Sequence, residues 1–165
     1  KIKKCFAKAI SEEEKEGALR LAVVYGVYLK RRSNFAMLAK NGQVQLSELL
    51  YAIRESTDAL SFYGAAASVI FEGDGTALIG QVTFLYEFFE DCIESALPDL
   101  SACLVRLSVN NGLLHCRIAL DNARESIPEN WRSRECEKLG ASVRLQIQDE
   151  TLYATLSFGE REAIV

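Results

Sequence analysis

Four carboxylates recur between Leu78 and Leu97: Glu87, Glu90, Asp91 and Glu94. Glu87 and Asp91 are four residues apart, which on a helix is one face, so both side chains can point into one pocket. Carboxylates there are hard anions suited to a hard cation. The competing reading is the solvated face of an amphipathic helix, which any surface helix can show. A further acid, Asp121, closes an alternating run and is followed by Asn122. The single histidine, His115, falls inside that run, where it reads as a strand residue, and neither His-Glu-x-x-His nor Gly-x-Ser-x-Gly occurs. Arg132, Arg134 and Lys138 place cations in a polar loop, where charges are expected to be solvated. The five cysteines, Cys5, Cys92, Cys103, Cys116 and Cys136, are odd in number and contain no Cys-x-x-Cys pair. That argues against a disulfide framework or a zinc ribbon and for small buried hydrophobes in a reducing compartment.

The elements that position these groups follow from periodicity. From Ile2 to Asn34 the pattern is helical, with a capping box at Ser11 and Glu14. Ala18, Leu21, Ala22, Tyr25, Tyr28 and Leu29 form an apolar stripe that can pack on its own domain or zip to a second copy; dimerisation is the expectation. Lys30, Arg31 and Arg32 are expected to end this helix, where cations suit the negative end of its dipole. Asn41-Gly42 predicts a turn. Ser47 to Tyr63 predicts a helix with Leu46, Leu49, Leu50, Ile53, Leu60 and Phe62 as apolar positions and Gly64 as its stop.

Ala66 to Phe71 predicts a short strand closed by Glu72-Gly73-Asp74-Gly75. Val82, Leu85, Phe89, Ile93 and Ala96 fall on one side of a third helix, Leu78 to Leu97, stopped by Pro98. Cys103 to Val109 and Leu113 to Leu120 alternate as strands of a hairpin turning at Asn110-Asn111-Gly112. After a loop with Pro128, Trp131 to Leu139 predicts a short helix, and Val143 to Gln148 with Leu152 to Phe158 a final hairpin around Asp149-Glu150. Strand runs beside helices predict an α+β fold, a two-layer α/β sandwich with helices on one face of a mainly antiparallel sheet, preceded by a long N-terminal helix.

Length and composition bound the reading. A chain of 165 residues, 49% hydrophobic and 25% charged, can bury a core and fits one domain or one domain with a helical appendage. Its 19 basic against 23 acidic residues, a net charge of −4, exclude a general nucleic-acid binder. No apolar run approaches the ~20 residues that cross a bilayer. The chain starts at Lys1 in mid-helical pattern, so an upstream segment, with a membrane anchor, is expected.

The order of elements resembles the ATP-binding domain shared by gyrase-type ATPases, sensor histidine kinases and mismatch-repair ATPases, the GHKL group. Leu85 to Ala96 looks like the helix on which sensor kinases carry a glutamate and, four residues on, an asparagine that holds the nucleotide's magnesium; the matching positions are Glu87 and Asp91, and Ser95 replaces a usual histidine. Ile118 to Glu125 is similar to the Asp-x-Gly-x-Gly box, with Asp121 retained and Ala123 and Glu125 in place of the glycines, whose absence restricts the turn and obstructs close backbone approach. Leu139-Gly140-Ala141-Ser142 resembles the Leu-Gly-Gly before the last hairpin. About twenty residues separate Asp121 from Gly140, too few for the glycine-rich lid that such domains close over the triphosphate. Tyr28 to Asn34 and Glu48 to Ser56 look like the membrane-proximal linker of sensor-kinase-like proteins that depart from the standard phosphoacceptor box.

The resemblance implies a Bergerat-type ATP-binding fold, with residues 1–40 as a dimerisation or linker helix and 41–165 as a histidine-kinase-like ATPase domain. It implies ATP and magnesium as cofactors, which the altered motifs can have lost. Glu87 would be the catalytic base, Asp91 the metal ligand, and Asp91, Asp121, Asn122 and Gly140 the nucleotide contacts. The expected function is the cytoplasmic signalling module of a membrane-anchored sensor histidine kinase-like protein with impaired or absent autokinase activity. It would be a homodimer through its first helix, with a response regulator or other signalling protein as partner and no nucleic acid. The alternatives are an active ATPase and a protein-binding scaffold of the same fold without nucleotide.

Overall fold

The computed structural model describes residues 11–97, 99–110, 113–123 and 126–159. Ser11 caps the first helix, α1 (Glu12–Leu38): its Oγ accepts from the Glu14 amide at 3.1 Å, and Glu14 Oε2 accepts from the Ser11 amide at 2.7 Å, the expected capping box. The helix does not stop at Lys30-Arg31-Arg32. Those cations find carboxylates on neighbouring helices, Glu55 for Lys30 and Arg31 and Glu90 for Arg32, and the helix runs on to bury Phe35. Its inner stripe is Ala18, Val24, Tyr28 and Phe35, whereas Leu29 of the expected stripe is exposed.

A single 3-10 turn (Ala39–Asn41) leads to β1 (Gln43–Gln45) and α2 (Leu46–Tyr63), which ends at Gly64 in the left-handed region (φ 118°). Phe62, expected inside, is exposed. β2 (Ala66–Glu72), β3 (Thr76–Leu78) and α3 (Ile79–Ala96) follow. β1 and β3 pair antiparallel as a ribbon that periodicity does not reveal, because three residues are too few to show alternation. The ribbon ties the starts of α2 and α3 together: Leu46 N–H donates to Gly75 O and Ile79 N–H to Gly42 O, both at 3.0 Å, satisfying amides with no partner inside their own helices.

β4 (Ala102–Asn110), β5 (Leu113–Asp121), α4 (Ser133–Leu139), β6 (Ala141–Gln148) and β7 (Thr151–Phe158) complete the chain. The main sheet has the order β2-β4-β5-β7-β6, with β2 parallel to β4 and every other pairing antiparallel. The β6–β7 turn places Asp149 and Glu150 at φ 49° and 64°, the doubly positive geometry of a two-residue hairpin. The Pro98 stop, the turn residues Asn111 and Gly112, and the helical start before Ser11 lie outside the described residues.

Alternation sorts the sheet into two faces. Val105, Leu107, Cys116, Ile118, Leu120, Ala154 and Leu156 are fully buried against α2 and α3, while Arg106, Arg117 and Arg144 point to the open side. α1 lies on the two helices, with Tyr28 in edge contact with Tyr86 and Phe89 and Phe35 with Tyr86. The layers therefore share one core. Cys92, Cys103, Cys116 and Cys136 are reduced and buried in it, and burial pushes the Cys103 thiol up to about 12.

Candidate functional site

The apolar side of α3 (Val82, Leu85, Phe89, Ile93) turns to the core and leaves Glu87 and Asp91 half-buried on an adjacent side. The segment after β5 comes down onto that side. Trp131, itself buried, packs its ring 5.0 Å from Phe84 and 5.3 Å from Phe88, centroid to centroid, and its Nε1 donates to Asp91 Oδ2 at 2.9 Å. Arg132 follows, with Nη1 donating to Glu87 Oε2 and Nη2 to Asp91 Oδ2 at 3.4 Å, and with its guanidinium 5.2 Å from the Trp131 ring centre. One fixed cation thus lies against both carboxylates, and arginine keeps its charge at any physiological pH.

Arg132 adopts φ 42° and ψ 43°, a left-handed conformation at the start of α4. For a residue with a side chain this costs on the order of 1 kcal/mol. The strain is held by the bonds to Glu87 and Asp91 and by Trp131, whose indole is anchored between aromatic rings. Arg132, expected to be a solvated loop charge, is therefore the organising residue of the site. Its signal in sequence is weak: an arginine beside the only tryptophan, some forty residues from its partners.

One helical step away, Glu90 is not on a solvated face. It is 1% exposed, and its Oε2 accepts from Nε and Nη2 of Arg32 on α1. Its Oε1 and the nearby Tyr28 hydroxyl are buried without a hydrogen-bond partner among the described residues. Burial pushes the Glu90 carboxyl up to about 7 in spite of Arg32. Ser56 Oγ and the Tyr86 hydroxyl share a buried bond of 2.8 Å between α2 and α3.

Asp121 ends β5 next to Leu120, which faces the helices, so its own side chain faces the open side of the sheet. There it accepts from Thr151 Oγ1 at 2.9 Å and borders a depression of about 400 Å³ with Tyr153 and Leu104. Asn122, at φ 61°, donates from Nδ2 to Ser101 Oγ at 3.0 Å and lines a separate cleft of about 480 Å³ with Asp99, Ile147 and Glu150. Neither cleft is lined by Glu87 or Asp91. Gly140, at φ 63°, is the left-handed cap that ends α4, and its carbonyl accepts from the Gly159 amide at 2.8 Å. Ala123, at the first altered glycine position, is buried; Glu125, at the second, lies outside the described residues. The structure brings Glu87 and Asp91 together around Arg132, and leaves Asp121, Asn122 and Gly140 in other surroundings.

No protein-family model matches the chain, and no curated protein sequence matches it. Its fold has clear counterparts among solved structures. A bacterial phosphotransferase superposes with a TM-score of 0.57 at 12% identity, covering 94% of this chain and 84% of the other. The histidine kinase domain of a blue-light activated histidine kinase from Erythrobacter litoralis gives 0.55 at 10% identity, covering 95% and 92%. A blue-light activated histidine kinase structure from the same organism gives 0.56 at 16% identity, covering 88% of this chain and 60% of that one. The chain has the α+β fold of histidine kinase domains, with the long first helix included.

Proposed function

We propose that this chain is the signalling module of a histidine kinase-like protein in which an internal ion-pair lock replaces the magnesium–nucleotide seat, so that it works as a scaffold and not as an autokinase. The observation that carries this reading is Arg132 bonded to both Glu87 and Asp91. A divalent cation at Asp91 would meet a carboxylate whose Oδ2 already accepts from an indole N–H and a guanidinium, and would stand against the positive charge of Arg132. The orientation of Asp121 toward the opposite face adds to it, since a single nucleotide would have to reach both layers. Magnesium and ATP do not fit these residues as they stand, and no chemical step is assigned to them.

In this reading the module is the cytoplasmic part of a membrane-anchored sensor, residues 1–40 serve as its dimerisation helix and 41–165 as its ATPase-like domain. Leu19, Val23 and Met37 are exposed along one side of α1, and Tyr51 and Phe62 are exposed on α2. Apolar residues of this size repeated on a helical hairpin suit the core of a bundle made with a second copy. The response regulator or other signalling protein that reads the module would meet it in this dimeric form.

The test is calorimetric titration of the protein with ATP and magnesium, in parallel with Arg132→Gln. The scaffold reading expects no magnesium-dependent heat from the unaltered protein. Saturable, magnesium-dependent ATP binding that Asp91→Asn abolishes would overturn it.

A further inference from the structure

The open face of the main sheet carries a charge pattern that neither the lock nor the helices use. Register alone builds it. Ile70 on β2 is paired with Arg106 on β4, Arg106 with Arg117 on β5, Arg117 with Thr155 on β7, and Thr155 with Arg144 on β6. One straight row across all five strands therefore holds three arginines, all exposed and all on the side away from the helices. At the ordinary strand spacing, Arg106 and Arg117 stand about 5 Å apart and Arg144 about 10 Å beyond Arg117.

Two like charges directly opposite one another on an antiparallel pair are destabilising, and folded sheets ordinarily interleave them with acids. Here none of the three arginines has an acidic partner among the described residues. The two acids of this face, Glu72 and Asp121, sit at opposite ends of the strands, and Asp121 is taken by Thr151. In a chain of net charge −4 this clustering runs against composition.

The surroundings name the chemistry. Arg117 lies 5.0 Å over the ring of Tyr153, and a cleft of about 280 Å³ opens between Arg117, Arg144, Gln146, Tyr153 and Thr155. On the same face Leu104 borders the neighbouring depression with Tyr153, and Ile70 is exposed next to Arg106 at the far edge. Arginine and tyrosine, with no lysine in the row, are the types that carry binding energy at protein–protein interfaces, and the exposed aliphatic residues add apolar area around them. A purely ionic surface for phosphate would not need the aromatic and aliphatic part.

We infer that the open sheet face docks an acidic segment of a protein partner, its carboxylates laid along Arg106, Arg117 and Arg144 and an apolar side chain seated beside Tyr153. The surface is on the layer opposite α3, so the inference stands whether or not the α3 site binds nucleotide, and the two fail separately.

The experiment follows the fluorescence anisotropy of a labelled glutamate-rich peptide carrying one phenylalanine, added to the full chain. Expected are saturable binding that weakens with added salt, and a loss of about tenfold in affinity for Arg106→Gln with Arg117→Gln and Arg144→Gln combined. Replacing the phenylalanine of the peptide by serine should weaken binding further. Arg106→Thr alone supplies a readout that does not depend on the triple variant folding: it should lower peptide affinity while leaving the melting temperature equal or higher, because it removes the like-charge pair. Equal affinity of the single or the triple variant for the peptide would overturn the inference. So would displacement of the peptide by millimolar inorganic phosphate, or binding to phosphatidylserine vesicles without binding to the peptide.

Discussion

Glu90→Gln tests whether α1 is held to α3 by a buried carboxyl that titrates near neutrality. The glutamine keeps the shape and an acceptor for Arg32 while removing the ionisable proton. In the folded chain the Glu90 carboxyl is raised from its ordinary 4.5 to about 7, with burial as the main cause. A carboxyl whose folded value lies above its unfolded value binds its proton more tightly in the folded state. Its contribution to stability is therefore full below the unfolded value and is lost as pH rises through the folded one. At ~1.4 kcal/mol per unit the difference corresponds to roughly 3 kcal/mol, of which roughly 2.5 kcal/mol disappears between about pH 5 and about pH 8. Urea unfolding at a series of pH values, for the unaltered chain and for Glu90→Gln, reads this directly. The unaltered chain should lose stability over that window relative to the variant, with the gap between the two curves widening most steeply near pH 6 and levelling off above about pH 8. Parallel curves would refute the reasoning and place the charge of Glu90 in contact with water.

Three further outcomes follow from the site and the helices. Arg132→Gln leaves Glu87 and Asp91 half-buried without their cation and should cost about 1–3 kcal/mol; added magnesium should raise the melting temperature of this variant and not that of the unaltered chain. Trp131→Phe removes one hydrogen bond to Asp91 while keeping most of the ring packing, and should cost about 1 kcal/mol in a denaturant titration followed by circular dichroism. Val23→Glu with Met37→Glu places charges on the exposed side of α1, and light scattering should show the mass fall from that of a dimer to that of a single chain.

The parts of this fold that were legible in the sequence are those whose residues interact locally. The alternation from Cys103 to Leu120 and the Asp149-Glu150 turn depend on neighbours a few residues away, and α3 declares its buried side through Val82, Leu85, Phe89 and Ile93. What stayed hidden depends on residues far apart in the chain. The end of α1 is hidden in the sequence because Lys30, Arg31 and Arg32 look like a helix terminus until Glu55 and Glu90 are brought to them. The same holds for Arg132, whose partners lie on α3. Asp121 matches a motif in type and in its place at a strand end, but which side of the sheet it faces is set by Leu120 turning inward. The row of arginines appears only when the register of four strands is known.

The parallel pairing of β2 with β4 has a consequence for how the chain reaches this state. β4, β5, β7 and β6 are joined in antiparallel pairs, two of them between consecutive strands closed by short turns. β2 can join only by an overhand crossover that carries α3 across the sheet. The paired residues lie 36 apart across β2–β4 and 30 to 42 apart across β5–β7, against the two local hairpins β4–β5 and β6–β7, so loop entropy favours the hairpins as the early structure and leaves both longer closures for later. Kinetically, then, the acid-bearing helix would be laid down after the hairpins, and mutations at its seam would accelerate unfolding more than they slow refolding.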